Sequence, residues 1–123
     1  MVSEIKHSTV AIIPCIDLDA SQQFYERLGF KVTTAYPHRG YRILHDQSGA
    51  SIHLTLAEHG WVLPERNAHG VYFYAENVEL LASEFGVVAE LKPWRLKEFS
   101  VSDPSGVLVR IGWPVENSRS VGV

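Results

Sequence analysis

The hydrophobic positions of this chain fall into short runs in which apolar and polar residues alternate. A period of two is typical of β-strands that pack one face on a core. Gly, Pro, Asn and Asp separate the runs, and these residues favour turns. The pattern predicts strands over residues 7–15, 31–36, 41–45, 50–57, 70–75 and 87–91, followed by a β-hairpin whose turn is formed by residues 103–106.

Two other stretches have the longer period of an amphipathic helix. The apolar stripe of the first helix consists of Leu18, Phe24, Tyr25 and Leu28. We expect Asp19 to cap this helix, with Gln22 completing a capping box, and Gly29 to end it. The second helix is predicted between Asn77 and Glu84 and is shorter.

The second half of the chain repeats the first. Residues 46–54 match residues 103–111 at an offset of 57, and the strands around Val10 and Gly70 align at an offset of 60. Self-similarity at a fixed period indicates duplicated modules. We therefore predict an α+β fold of two tandem βαβββ modules that form a concave cleft. The predicted boundaries are residues 5–58 for module one, 59–68 for the linker, 69–113 for module two and 114–123 for a tail.

Alternation along the strands predicts which side chains share a face. The repeat places His53 of module one and Arg110 of module two at equivalent positions. Tyr72 and Tyr74 alternate with core positions on the first strand of module two. We expect these polar and aromatic side chains, with Gly70, to line the concave surface between the modules.

Composition narrows the class of protein. The 123 residues are 46% apolar and 20% charged, as in an ordinary globular domain, and the net charge is −3. There is no basic patch for nucleic acid and no apolar run near the roughly 20 residues of a membrane span. The N-terminal residues lack the apolar core of a signal peptide. The single cysteine, Cys15, excludes an intrachain disulfide and suits the cytoplasm.

No catalytic residue is apparent, because the sequence has no Ser-His-Asp set, phosphate-binding loop or carboxylate pair. Arg110 is either an ion-pair partner across the modules or an anchor for an anionic or carbonyl-bearing ligand. Trp113 is in phase with core positions, whereas Trp94 and Trp61 lie in polar loops, where exposed rings can stack on flat ligands. The candidate ligand-binding residues are His53, Trp61, Tyr72, Tyr74, Trp94, Glu98, Phe99 and Arg110.

Two segments carry a family resemblance. Residues 17–30 resemble the first helix of the vicinal oxygen chelate superfamily, which includes glyoxalase I, extradiol dioxygenases and the fosfomycin- and bleomycin-resistance proteins. Residues 93–106, with Pro93-Trp94, Lys97-Glu98-Phe99 and the Asp103–Gly106 turn, resemble the signature of the bleomycin-resistance branch. Arg95 is a departure, since that branch usually has Gly there.

The resemblance implies a dimer whose modules pair across subunits, often with a swapped first strand. In enzymes of this superfamily a divalent metal is held at four positions, which correspond here to Val10, His53, Gly70 and Arg110. Three of these residues have no atom that binds a metal, so we expect neither metal nor other cofactor. The favoured function is sequestration of a flat or cationic molecule of the bleomycin type. A metal-dependent enzyme of the superfamily and a sensing or pathway accessory role are the alternatives.

Overall fold

A computed structural model describes residues 5–115 and has the predicted α+β architecture. Its elements are β1 (Ala11–Cys15), α1 (Leu18–Glu26), β2 (Lys31–Tyr36), β3 (Tyr41–His45), β4 (Ser51–Leu56), β5 (Gly70–Tyr74), α2 (Val78–Glu84), β6 (Glu90–Leu91), β7 (Leu96–Ser102) and β8 (Leu108–Pro114). Neither helix in residues 5–115 has the length and apolarity needed to cross a membrane.

The strands form two four-stranded sheets with the same connectivity. Sheet A has the order β1-β4-β3-β2, and sheet B has the order β5-β8-β7-β6. In each sheet the first strand runs parallel to the last strand of its module. Ala11 lies opposite Ile52 in sheet A, and Val71 lies opposite Val109 in sheet B. These pairs reproduce the sequence offsets of 60 and 57, which confirms the two βαβββ modules.

The inner faces of both sheets share one hydrophobic core. It includes Ile13, Cys15, Leu44, Ile52 and Leu54 from sheet A and Phe99, Val107, Val109 and Ile111 from module two. Helix α1 joins the modules, because the Phe24 ring lies 5.4 Å from that of Phe85 and the Tyr25 ring meets Phe73 edge-on at 6.4 Å. The opposite faces of the two sheets therefore point away from this core.

The turn between β7 and β8 is a junction between the modules. The Asp103 carboxylate is buried and accepts hydrogen bonds from the backbone N–H groups of Ser105 at 2.8 Å and Val107 at 2.9 Å. Its other oxygen accepts the hydroxyl of Tyr25 from α1 at 2.7 Å. The Ser105 hydroxyl accepts the N–H of Ile16 at 2.9 Å. The turn thus fixes α1 and its preceding loop against module two.

The N-cap of α1 is Asp17 rather than the predicted Asp19. Asp17 has an extended backbone and accepts the N–H of Ala20 at 3.1 Å, whereas Asp19 already lies in the first helical turn. Asp19 instead forms an ion pair with Arg42 at 2.9 Å, and Gln22 accepts a hydrogen bond from the same guanidinium at 2.7 Å. The predicted capping box is therefore wrong.

Several predicted boundaries also change. Strand β1 begins at Ala11 rather than at residue 7, because its partner β4 begins only at Ser51. Strand β6 is shortened to residues 90–91. Pro114 pairs with Leu96 at the end of β8 instead of beginning a tail, and residues 116–123 of the predicted tail lie outside the described residues.

Arg95 has an unfavourable backbone conformation. Its φ is +68°, in the left-handed region where a Cβ is costly and glycine is not. We expect Arg95→Gly to be about 1 kcal/mol more stable than Arg95→Ala, since both variants lose the side chain and only one keeps the Cβ. Urea unfolding of the two variants checks this, and equal midpoints would mean that the backbone cost is absent.

Cys15 lies in the shared core and is fully buried. Burial is the main cause that raises the pKa of its thiol to about 11. The thiolate is the reactive form, so we expect no reaction with a disulfide reagent in native protein at mildly alkaline pH and stoichiometric reaction after denaturation. Rapid labelling of native protein would show that the core opens around β1.

Candidate ligand-binding site

The outer face of sheet B gathers most of the candidate side chains. Across the central strand β8, Tyr72 lies opposite Arg110, which lies opposite Ser100 on β7. In the next row Gly112 lies between Tyr74 and Glu98. Because residues two apart on a strand share a face, these two rows form one surface.

Glu98 is at the centre of this surface. Its side chain is only 3% exposed, an unusual position for a carboxylate. The Tyr72 hydroxyl donates to Glu98 Oε2 at 2.5 Å, and the Trp94 indole N–H donates to the same oxygen at 3.3 Å. We call Tyr72, Trp94, Glu98 and Arg110 the Glu98 cluster.

Arg110 pairs within its own sheet. Its Nε donates to the Ser100 hydroxyl at 3.2 Å and lies 4.0 Å from Glu98 Oε1. The side chain remains 44% exposed. Of the two sequence interpretations, the ion pair is present but joins neighbouring strands rather than the two modules. Its exposed part leaves hydrogen-bonding capacity toward a ligand.

The tyrosines of β5 extend the surface toward a groove. Their rings lie 4.9 Å apart, and Tyr74 is largely exposed. Burial raises the pKa of the Tyr72 hydroxyl above its ordinary range, and the adjacent Glu98 carboxylate raises it further, so this group is a hydrogen-bond donor at neutral pH. A groove of about 510 Å³ runs between the modules and is lined by β5, including both tyrosines, and by residues of β1 and β4.

Three predicted residues lie elsewhere. His53 is on the outer face of sheet A, where its Nδ1 is hydrogen-bonded to the Tyr41 hydroxyl at 2.7 Å. Trp61 is 81% exposed in the linker, beside a separate groove of about 390 Å³. Phe99 is buried on the inner face of β7 against Phe85, so we leave it out of the site proposed below.

His53 and Arg110 do not meet within the described residues. The sequence repeat correctly places the two residues at equivalent positions of β4 and β8. Each lies on the outer face of its own sheet, however, and the shared core is between them. The sequence also did not single out Gly112 and Ser100. A glycine inside an otherwise apolar strand is a signal for close approach of another group, and that signal was available at Gly112.

The positions that hold a divalent metal in enzymes of the vicinal oxygen chelate superfamily carry no suitable set of ligands here. Beside His53 on the neighbouring strand lies Ile12, and beside Arg110 lies Tyr72. Neither an isoleucine nor a guanidinium donates a lone pair to a metal. In residues 5–115 no three His, Cys, Asp or Glu side chains are close enough together to hold an ion. The residues present therefore do not fit a bound divalent metal.

Trp113 does not belong to the Glu98 cluster or to the core. It is 38% exposed near the end of β8, although its phase matches that of buried Val109 and Ile111. It lines an open groove together with Tyr74, Asn77 and Leu81. The prediction that Trp113 is a core residue is wrong, because the core ends before the strand does.

Comparison with known proteins identifies the family of the fold. The family model for the Glyoxalase/Bleomycin resistance protein/Dioxygenase superfamily matches residues 5–111. No curated protein sequence matches the chain.

Solved structures share the fold at low sequence identity. A bleomycin-binding protein complexed with bleomycin is 18% identical, with a TM-score of 0.75 over 89% of this chain and 100% of that one. A bleomycin resistance determinant encoded on the transposon Tn5 is 19% identical, with a TM-score of 0.75 over 89% and 98%. TnmS3, an antibiotic-binding protein from Streptomyces sp. CB03234, is 21% identical, with a TM-score of 0.67 over 93% and 100%.

Proposed function

Because this chain belongs to the Glyoxalase/Bleomycin resistance protein/Dioxygenase superfamily, we propose that it binds a flat or cationic small molecule of the bleomycin type and protects its host by sequestration. The observation that carries this proposal is the Glu98 cluster, in which Trp94 is 59% exposed beside Tyr72 and Arg110. Exposed aromatic faces with a few fixed polar groups suit a flat ligand. The single cysteine favours action in the cytoplasm.

The similar folds support this choice of ligand class. Two of the proteins compared above bind bleomycin or determine resistance to it, and a third binds an antibiotic. In residues 5–115 no three His, Cys, Asp or Glu side chains lie close enough together to hold a metal ion. Binding without chemistry is therefore the function that this site supports best.

A second copy of the chain is proposed to complete the cleft. Ile12 is 54% exposed next to His53 on the outer face of sheet A, while Tyr74 and Trp94 are exposed on sheet B. A second copy packed against these faces would remove the apolar side chains from water. In the proposed dimer, His53 and Trp61 approach the ligand from the other subunit. Sedimentation equilibrium should then give twice the chain mass of 13.8 kDa.

Titration of tryptophan fluorescence with metal-free bleomycin tests the proposal. We expect saturable quenching at micromolar ligand, because Trp94 is exposed and lies in the proposed site. An unchanged spectrum up to saturating bleomycin would contradict drug binding. Metal analysis of the purified protein distinguishes metal-free binding from the alternative of a metal-dependent enzyme. A stoichiometric metal that a chelator removes would favour the metalloenzyme.

A further inference from the structure

We propose that Glu98 is a positioning residue that holds Tyr72 and Trp94 as an aromatic clamp, and that Gly112 provides the space the clamp needs. This inference rests on the proposed function, because the clamp is part of the proposed ligand site. It assigns Glu98 a role other than direct ligand contact.

Both rings of the clamp are held by one atom. The Tyr72 hydroxyl approaches Glu98 Oε2 from β5, and the Trp94 N–H approaches the same oxygen from the turn before β7. Two donors on one acceptor fix the two rings relative to each other. Trp94 keeps most of its surface exposed while its polar edge is held, so its face is available for stacking.

Glu98 itself is not accessible to a ligand of any size. Its side chain is 3% exposed, and both rings hydrogen-bond to its Oε2. A buried carboxylate is costly unless it is hydrogen-bonded, and here the donors are the rings that flank the site. The geometry therefore gives the carboxylate the task of fixing ring orientation. The ligand class that fits two held aromatic faces is a flat heteroaromatic ring system.

Gly112 is required for space rather than for its backbone conformation, since its φ is not positive. Tyr72 lies one row away from Glu98, so its side chain crosses Gly112 to reach the carboxylate. A Cβ at position 112 would overlap the Tyr72 hydroxyl and lie 3.2 Å from Glu98 Cβ. Any side chain at this position forces Tyr72 away from Glu98.

The first test uses ligand-free protein and the variant Glu98→Gln, with Ser102→Ala as a control on the same face of β7. Nitrogen-15 NMR resolves the indole N–H signals, and Trp94→Phe assigns the one from Trp94. We expect Glu98→Gln to shift that signal upfield and to let Tyr72 ionise at lower pH in a tyrosinate absorbance titration, because the carboxylate charge is removed. Ser102→Ala should change neither. An unchanged Trp94 signal in Glu98→Gln would overturn the proposal.

The second test is a double-mutant cycle between Gly112→Ala and Tyr72→Phe. We expect Gly112→Ala to lower the urea midpoint strongly in the natural chain and much less in Tyr72→Phe, which lacks the overlapping hydroxyl. A single variant that fails to fold beside a double variant that folds would support the proposal equally. The proposal would be overturned if Gly112→Ala lowered the urea midpoint equally in the natural chain and in Tyr72→Phe. It would also be overturned if neither the single nor the double variant folded.

These readouts separate the clamp from the proposed function. Neither uses a ligand, so an altered Trp94 signal in Glu98→Gln supports the clamp even if metal-free bleomycin fails to quench fluorescence. That failure would count against the proposed function alone. Conversely, an unchanged Trp94 signal in Glu98→Gln would contradict the clamp even if bleomycin binds.

Discussion

Asp103→Ala is expected to lower the free energy of unfolding by about 3–5 kcal/mol. The buried carboxylate accepts hydrogen bonds from the Tyr25 hydroxyl and from the backbone N–H groups of Ser105 and Val107. Its removal leaves these three donors unpaired in a region with little access to water. The cost of an unpaired buried donor exceeds the net gain of a formed hydrogen bond, so the loss is larger than that expected at an exposed turn.

The repeat supplies a matched control. Asp46 occupies the equivalent turn of module one, and its carboxylate accepts the N–H groups of Ser48 at 2.9 Å and Ala50 at 2.8 Å. It has no tyrosine partner, and its turn bonds are exposed. Asp46→Ala should therefore cost only about 1 kcal/mol. Urea unfolding measures both, and equal losses would contradict the role of the Asp103 turn as the junction between modules.

Trp94→Ala is expected to weaken bleomycin binding by about 10- to 100-fold, which corresponds to roughly 1–3 kcal/mol. The indole is exposed and anchored at one edge, so most of its stacking surface is lost on truncation. The free energy of unfolding should fall by about 1 kcal/mol, because Glu98 Oε2 loses the Trp94 donor and keeps the Tyr72 hydroxyl. Leu80→Ala is a control for the loss of an exposed apolar side chain on α2, and it should bind bleomycin like the natural chain. Unchanged affinity of Trp94→Ala would remove this residue from the site.

Local patterns predicted the fold well because both modules obey them. The offset between residues 46–54 and residues 103–111 becomes the shared strand register of the two sheets. Glycine at position 29, with φ of +101°, ends α1 as expected. The errors lie where pairing with a distant strand sets the boundary, as at the start of β1, where pairing with β4 begins only at Ala11 and Ile52.

The candidate site was only partly predictable for a similar reason. Glu98 and Phe99 are adjacent on a strand, and alternation alone separates them onto opposite faces, yet both were included. The meeting of Tyr72 with Glu98 depends on the diagonal path over Gly112, which no local pattern encodes. His53 and Arg110 were placed correctly in their strands, but their position relative to each other depends on how the modules pack.

Chemical-shift mapping of nitrogen-15-labelled protein with metal-free bleomycin, after exhaustive treatment with a chelator, tests the central claim most directly. Saturable shifts centred on Tyr72, Trp94, Arg110 and Gly112 are the predicted result, and they should need no added metal. Resonances that move only when a divalent metal is supplied, or a spectrum that stays unchanged at saturating bleomycin, would contradict the claim that this surface binds its ligand with side chains alone.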